Sequence, residues 1–168
     1  MENSQPPCDV RLASRSDLDL VLAVYSDDDT DLESPAAASG VQEATWLQMM
    51  HTRGLNVYVA EVDGQIVGTA TLLLMPNLTY KCAPTGFVEA VIVTRSRRRR
   101  GIGTSLVLRL LEDAASAGCN KIQLLSHKRH RTDGAHDLYT SLGFEPEAEG
   151  FRLYLREVPS AVQAARLD

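Results

Sequence analysis

No two cysteines in the chain stand at C-x-x-C spacing, and the three present, Cys8, Cys82 and Cys119, are odd in number and scattered. That pattern supports neither a disulfide framework nor a zinc site, and it fits a reducing compartment. No apolar stretch approaches the roughly 18 residues of a membrane span. The opening MENSQPPCDV has neither the basic nor the apolar segment of a secretory leader, so a cytoplasmic protein without a membrane partner is expected. Positive charge is also in deficit: 17 Lys and Arg stand against 22 Asp and Glu, a net charge of −5. General nucleic-acid binding, which calls for a strongly basic surface, is not expected. Nor is there an internal repeat or the composition of a disordered, collagenous or coiled-coil chain.

What is present is the balance of a soluble globule, 44% hydrophobic and 23% charged over 168 residues, enough for one self-sufficient core. The expected organisation is a tail over 1–9, a single domain over 10–158 and a second tail over 159–168. Val10 to Leu12 reads as a short strand, followed by a helix capped at Ser16 and carrying Leu18, Val21, Leu22 and Tyr25. SDDDTDLESPAAASG reads as a loop, leading to a helix from Val41 to His51. NVYVAEV and QIVGTATLLLM flank Asp63-Gly64, the dipeptide suited to a tight hairpin turn. The run from Gly86 through FVEAVIV predicts a central strand buried on both faces, interrupted by Glu89. Helices over 102–117 and 135–142, a strand over 121–125, and a closing strand pair at Phe144-Glu145 and 151–155 complete a mixed sheet with helices on its faces.

The charge that matters is concentrated. Arg95, Arg97, Arg98, Arg99 and Arg100 lie within six positions, and the rest of the chain has 12 basic against 22 acidic residues. Gly101-Ile102-Gly103-Thr104 follows, between the central strand and a helix. Glycines let the backbone approach a ligand, and first-turn amides lack intrahelical acceptors, so this is an anion site strengthened by the helix dipole. Three phosphate-binding patterns compete. A P-loop requires Lys after its last glycine, where this chain has Thr104. A dinucleotide fold requires a third glycine where Leu106 stands. What remains is Arg98-x-x-Gly101-x-Gly103 after a valine-rich strand.

In this the chain resembles the GNAT superfamily of N-acetyltransferases, whose pyrophosphate loop reads Gln/Arg-x-x-Gly-x-Gly/Ala. The resemblance runs from Val10 to Leu155, since Val10-Arg11-Leu12, the Asp63-Gly64 hairpin, Val91-Ile92-Val93 and LYTSLGF at 138–144 come in the family's order. It implies an α/β (α+β) GNAT fold: a mixed, mostly antiparallel sheet of six to seven strands with helices on both faces. It further implies acetyl-CoA as co-substrate and no metal. Backbone amides from Arg98 through Arg99, Arg100, Gly101, Ile102 and Gly103 to Thr104 would cradle its pyrophosphate. Val91, Ile92 and Val93 would pair with its pantetheine arm at a strand edge opened by a splay. Glu89 would be the base that takes the amine proton, its pKa raised by burial. Tyr139 would be the acid that protonates the leaving sulfur, and an amide near Ile92 would stabilise the oxyanion.

Each assignment has a plainer counterpart. Glu89 is equally read as a structural acid, and Tyr139 as a core aromatic with its hydroxyl at the surface. Arg95 and Arg97 either reach the coenzyme or are solvated; His127, His130 and His136 either touch a ligand or face solvent. Ser126 and Arg131 lie where relatives contact the coenzyme. The acids Asp27, Asp28, Asp29, Asp31 and Glu33 either attract a cationic amine or form a solvated loop. GFVEAVIV is similar to the HVEDVVV of glucosamine-6-phosphate acetyltransferases, departing from it at Ala90. The resemblance therefore points to a small-molecule amine as acceptor, with protein lysine or N-terminal acetylation and a non-catalytic acetyl-CoA-binding module as alternatives. A homodimer is a family expectation only.

Overall fold

The computed structural model describes residues 8–27 and 37–153. Its elements are β1 (Asp9–Leu12), α1 (Leu18–Ser26), α2 (Gly40–His51), β2 (Leu55–Val62), β3 (Gln65–Met75), β4 (Thr85–Val93), α3 (Ile102–Ser116), β5 (Lys121–Leu124) and α4 (Ala135–Ser141). The strands form one sheet in the order β1-β2-β3-β4-β5, antiparallel except where β4 meets β5. The expected hairpin is the sheet's centre. Asp63 at φ 52° and Gly64 at φ 74° give two successive left-handed residues, the geometry of a type I′ turn.

Strand periodicity sorts the core into two halves. Val57 and Val59 on β2 pack with Val21 of α1 and Trp46 of α2. Tyr58, Ala60, Ala70 and Leu72 face the other way and pack with Ile102, Leu106 and Leu110 of α3. Helices therefore cover both faces, as expected. α2 begins at a reciprocal cap in which Ser39 accepts from the Gln42 amide and its own amide donates to Gln42 Oε1. No helix among the described residues is long and apolar enough to cross a membrane.

Three expectations need correction. The first helix is not capped by Ser16: a single 3-10 turn over Arg15–Asp17 precedes α1. The organising group is Asp17, whose carboxylate accepts from the Ser14 amide and hydroxyl and from the Arg11 guanidinium at 2.8 Å. The closing strand pair does not form within the described residues, so the sheet has five strands there. Residues 144–153 are irregular, in a stretch where Pro146 removes an amide donor and Glu145, Glu147 and Glu149 crowd like charges. Residues 154–155 of that expected strand, residues 1–7 of the expected first tail and the tail over 159–168 lie outside the described residues, whereas Cys8 and Asp9, also expected in the first tail, are buried in the core and the first residue of β1 respectively. Finally, β4 is buried only at its start: Val88 is 3% exposed, whereas Glu89 and Ala90 are exposed.

Candidate active site

β4 loses its burial because it loses a neighbour. Its parallel pairing with β5 runs from Thr85 opposite Lys121 to Val88 opposite Leu124 and ends there. On its other side β4 pairs Glu89 with Thr71 and Ile92 with Thr69, so Ala70 alone faces Ala90 and Val91. This is a β-bulge, and Ala90 carries its strain at φ 52°. Beyond Val88, the edge of β4 that β5 would have covered instead lines a cleft of about 620 Å³. Glu89, Val91, Ile92, Val93, Arg98, Arg99, Gly101, Ile102, Gly103, Thr104 and Tyr139 all border it, so one cavity gathers residues spread over 50 positions of sequence. Arg100 is not among its lining residues.

One end of the cleft is built for negative charge. Arg98 folds back so that its Nε donates to the Val93 carbonyl at 2.9 Å, which fixes the loop to the end of β4. Arg99 at φ 58° and Gly101 at φ 80° then turn the chain into α3. The Ser105 amide makes the first bond back, to the Gly101 carbonyl at 2.9 Å. The amides of Ile102, Gly103 and Thr104 therefore have no acceptor within the helix. Gly103 has a second role that its place in the loop pattern does not disclose. A Cβ there would stand 3.3 Å from Leu138 Cδ2, so its absence lets α4 close against α3. Arg97 also lines the cleft, while Arg95 does not; its amide donates to Asp27 Oδ2 instead. Of the acidic loop only Asp27 is described, and Asp28, Asp29, Asp31 and Glu33 lie outside the described residues.

Glu89 stands four strand residues, roughly 13 Å, back from Val93 along β4, and Tyr139 of α4 borders the same cleft within electrostatic reach of it; these are the two groups suited to proton transfer. Glu89 is exposed rather than buried, contrary to expectation, because the bulge and the departure of β5 leave it at the mouth of the cleft. Tyr139 on α4 is half-buried, with its ring edge-on to Phe144 at 5.8 Å between centroids. Burial, then the charges of Asp133 and Glu89, push its hydroxyl pKa up, so it is held protonated. On the β3 strand that pairs with Glu89, Thr69 and Thr71 face the half-buried Tyr25 of α1, whose hydroxyl pKa is raised by burial against the lowering effect of these two hydroxyls. That polar layer went unread because Tyr25 fits the apolar spacing of α1.

Among the histidines, His127 and His130 border the cleft with Ser126, whereas His136 does not, its Nε2 being buried without a partner. Asp133, Leu138 and Arg152 are cleft residues that sequence reasoning missed. The side chain of Arg131 lies outside what the structure describes. Among the described residues no group of three or more His, Cys, Asp or Glu could hold a metal ion.

Comparison with known proteins gives this geometry its family. The model of the acetyltransferase (GNAT) family matches residues 21–144, nearly three quarters of the chain. The chain belongs to the GNAT acetyltransferase family. A glucosamine 6-phosphate N-acetyltransferase of Trypanosoma brucei brucei is 31% identical over 88% of this chain and 95% of its own length. A solved Trypanosoma brucei acetyltransferase is 30% identical, with a TM-score of 0.73 over 88% of this chain and 99% of its own. Human N-alpha-acetyltransferase 30 is 27% identical over 68% of this chain but only 30% of its own length.

As a GNAT enzyme the protein is an N-acetyltransferase, and its family uses acetyl-CoA. The residues present fit that coenzyme. A long ligand with phosphates at one end and a thioester at the other matches a cleft lined by arginines and helix amides and, farther back along β4, by Glu89, with Tyr139 bordering the same space. The exposed main-chain edge at Val91–Val93 joins the arginines to Glu89, and the cleft's volume is of the size that holds such molecules.

Proposed function

We propose that this N-acetyltransferase, a single domain over 10–158, moves acetyl from acetyl-CoA to the primary amine of a small molecule, an amino sugar phosphate first among the candidates. The observation that carries the reading is likeness along almost the whole length of the Trypanosoma glucosamine 6-phosphate enzyme, against less than a third of the protein N-terminal enzyme. Three cysteines without a disulfide support a cytoplasmic setting.

Each residue has a task in this reading. Amides from Arg98 to Thr104, with the Arg97, Arg98 and Arg99 side chains, hold the phosphates. The main chain of Val91, Ile92 and Val93 pairs with the pantetheine arm, and the Ile92 amide faces the carbonyl oxygen. When bound, the coenzyme supplies the thioester whose C–S bond breaks as the N–C bond forms. Glu89, solvated at the mouth of the cleft, takes the proton from the attacking amine, directly or through water. Tyr139, kept protonated by its surroundings, gives its proton to the departing sulfur and regains one from solvent. Holding the reactants in line supplies several kcal/mol of the barrier, and the placed proton donors supply more.

The test is thiol release from acetyl-CoA with a panel of amines: glucosamine 6-phosphate, glucosamine, an aminoalkylphosphonate, a polyamine and an N-terminal peptide. The reading expects turnover on a small amine, greatest on a phosphorylated amino sugar. Turnover on the peptide alone would replace the acceptor with a protein, and binding without turnover on any amine would favour the non-catalytic module.

A further inference from the structure

The turn that opens the phosphate loop is capped from outside itself. β4 ends at Val93, and a one-turn 3-10 helix follows over Arg95–Arg97 with Thr94 at its N-cap. Threonine at that position ordinarily turns its hydroxyl onto the first free amides. Here it does not: Thr94 makes no side-chain cap bond, and its Oγ1 is buried without a partner. The first amide of the turn, that of Arg95, donates instead to Asp27 Oδ2 at 2.5 Å, across 68 residues of sequence. Asp27 is itself fixed at the end of α1, its amide bonded to the Ala23 carbonyl at 3.3 Å. The last residue of the turn carries this tie to the coenzyme side. Arg97 borders the main cleft together with Arg98, Arg99 and Gly101, and it also borders a hollow of about 370 Å³ that Asp27, Gln65 and Thr94 help to line. A single turn has too few bonds of its own to hold a direction, so the tie to α1 sets where its last side chain stands.

We propose that Asp27 is a positioning residue for coenzyme binding: by capping the Arg95 amide from α1, it holds Arg97 at the phosphate end of the cleft. The proposal rests on the coenzyme reading of that cleft and adds to it a residue of α1, outside the arginine-glycine loop, that touches no ligand. The charge of Asp27 works in the opposite direction. A carboxylate beside the loop repels an anionic ligand. Its benefit to phosphate binding therefore comes from the hydrogen bond alone, and a neutral acceptor in its place serves at least as well. That difference between bond and charge makes the proposal testable.

The experiment measures acetyl-CoA affinity by calorimetry on two matched pairs of variants, each shown folded by its denaturant transition. Asp27→Asn and Asp27→Ala both lose the charge, and only Asn keeps an acceptor. Arg95→Ala and Arg95→Pro both lose the arginine side chain, and only Pro loses the amide donor. Proline is tolerated at the first position of a helical turn, and Thr94 at φ −52° and ψ 138° already has the conformation that precedes one. Within each pair the variant without the bond is expected to bind acetyl-CoA roughly five-fold more weakly, the worth of one hydrogen bond. Asp27→Asn is expected to bind at least as tightly as wild type. Arg97→Ala, alone and combined with Asp27→Ala, supplies a readout that a merely structural role would not move. Because Asp27 acts through Arg97, the double variant is expected to bind little more weakly than Arg97→Ala, whereas independent effects would multiply. Either pair decides should the other fail to fold. Equal affinity within a folded pair, or multiplying losses in the double variant, overturns the proposal. Failure of wild type to bind acetyl-CoA is a separate result, which removes the coenzyme reading and the proposal together.

Discussion

Val88 pairs with Leu124 as the last bonded partners of β4 and β5, and the next residue of β4 is Glu89. The point where the sheet opens is therefore the point where the acid is placed. Up to Val88 the strand is core; beyond it, the same strand is the wall of a cleft that ends at the first turn of α3.

The turn at Gly101 tests the phosphate end. Its φ of 80° is costly for any residue with a Cβ, and its backbone borders the cleft. Gly101→Leu is expected to weaken acetyl-CoA binding by more than roughly ten-fold, the order lost with a single charge-assisted bond. Gly118 at φ 73° lies just past the other end of α3 with open space around it, so Gly118→Leu is the matched control. That variant should lose about 1 kcal/mol of stability and keep its affinity. Calorimetry and denaturant titration together read both.

Tyr139→Phe removes the proposed acid and little else, because the ring contact with Phe144 survives. Turnover should fall by roughly a hundred-fold, the lower range for a placed proton donor, at nearly constant KM for acetyl-CoA. The pH profile has a sign as well. A raised pKa keeps the hydroxyl protonated beyond the ordinary tyrosine range near ~10, so kcat holds until above that range. The charge of Asp133 contributes to the rise, and Asp133→Asn should bring the alkaline limb of kcat to lower pH at saturating acetyl-CoA. A wild-type limb unmoved in both variants would return Tyr139 to a packing role.

Glu89→Gln should spare coenzyme binding and depress kcat/KM for the amine. Unchanged kcat/KM at unchanged coenzyme affinity would leave Glu89 as a surface acid beside the bulge.

Asp17 offers a test of the fold independent of the active site. Its carboxyl pKa is lowered to about 2, first by the hydrogen bond from Arg11, against desolvation, with Ser14 adding further donors. A depressed pKa stabilises the fold above the unfolded value of 3.8, and that stabilisation is lost as pH falls through about 2. Asp17→Asn should therefore cost about 2 kcal/mol near pH 7 and converge with wild type below pH ~2. Equal stabilities at neutral pH would mean that the Arg11 pair contributes nothing.

Local chemistry was legible in the sequence wherever one residue type decides the geometry. Asp63-Gly64 located the hairpin, and Arg98 to Gly103 located the turn into α3 that borders the cleft, because left-handed turns and unbonded amides depend on neighbours in sequence. What was hidden depends on neighbours in space. The apolar run through β4 looks the same whether β5 stays or leaves, so the exposure of Glu89 could not be read from it. Gly103 counted as a loop glycine although it also makes room for Leu138. Within the described residues the closing strands do not form, in a stretch that holds Pro146 and three nearby glutamates.

The central claim is that the cleft between β4 and α4 takes acetyl-CoA, and calorimetric titration of the folded protein with acetyl-CoA at low ionic strength tests it most directly. The account predicts saturable 1:1 binding that Gly101→Leu weakens and Gly118→Leu does not. No heat of binding to a protein shown folded by its denaturant transition would contradict it, and the arginine-glycine loop would then have to serve a different anion.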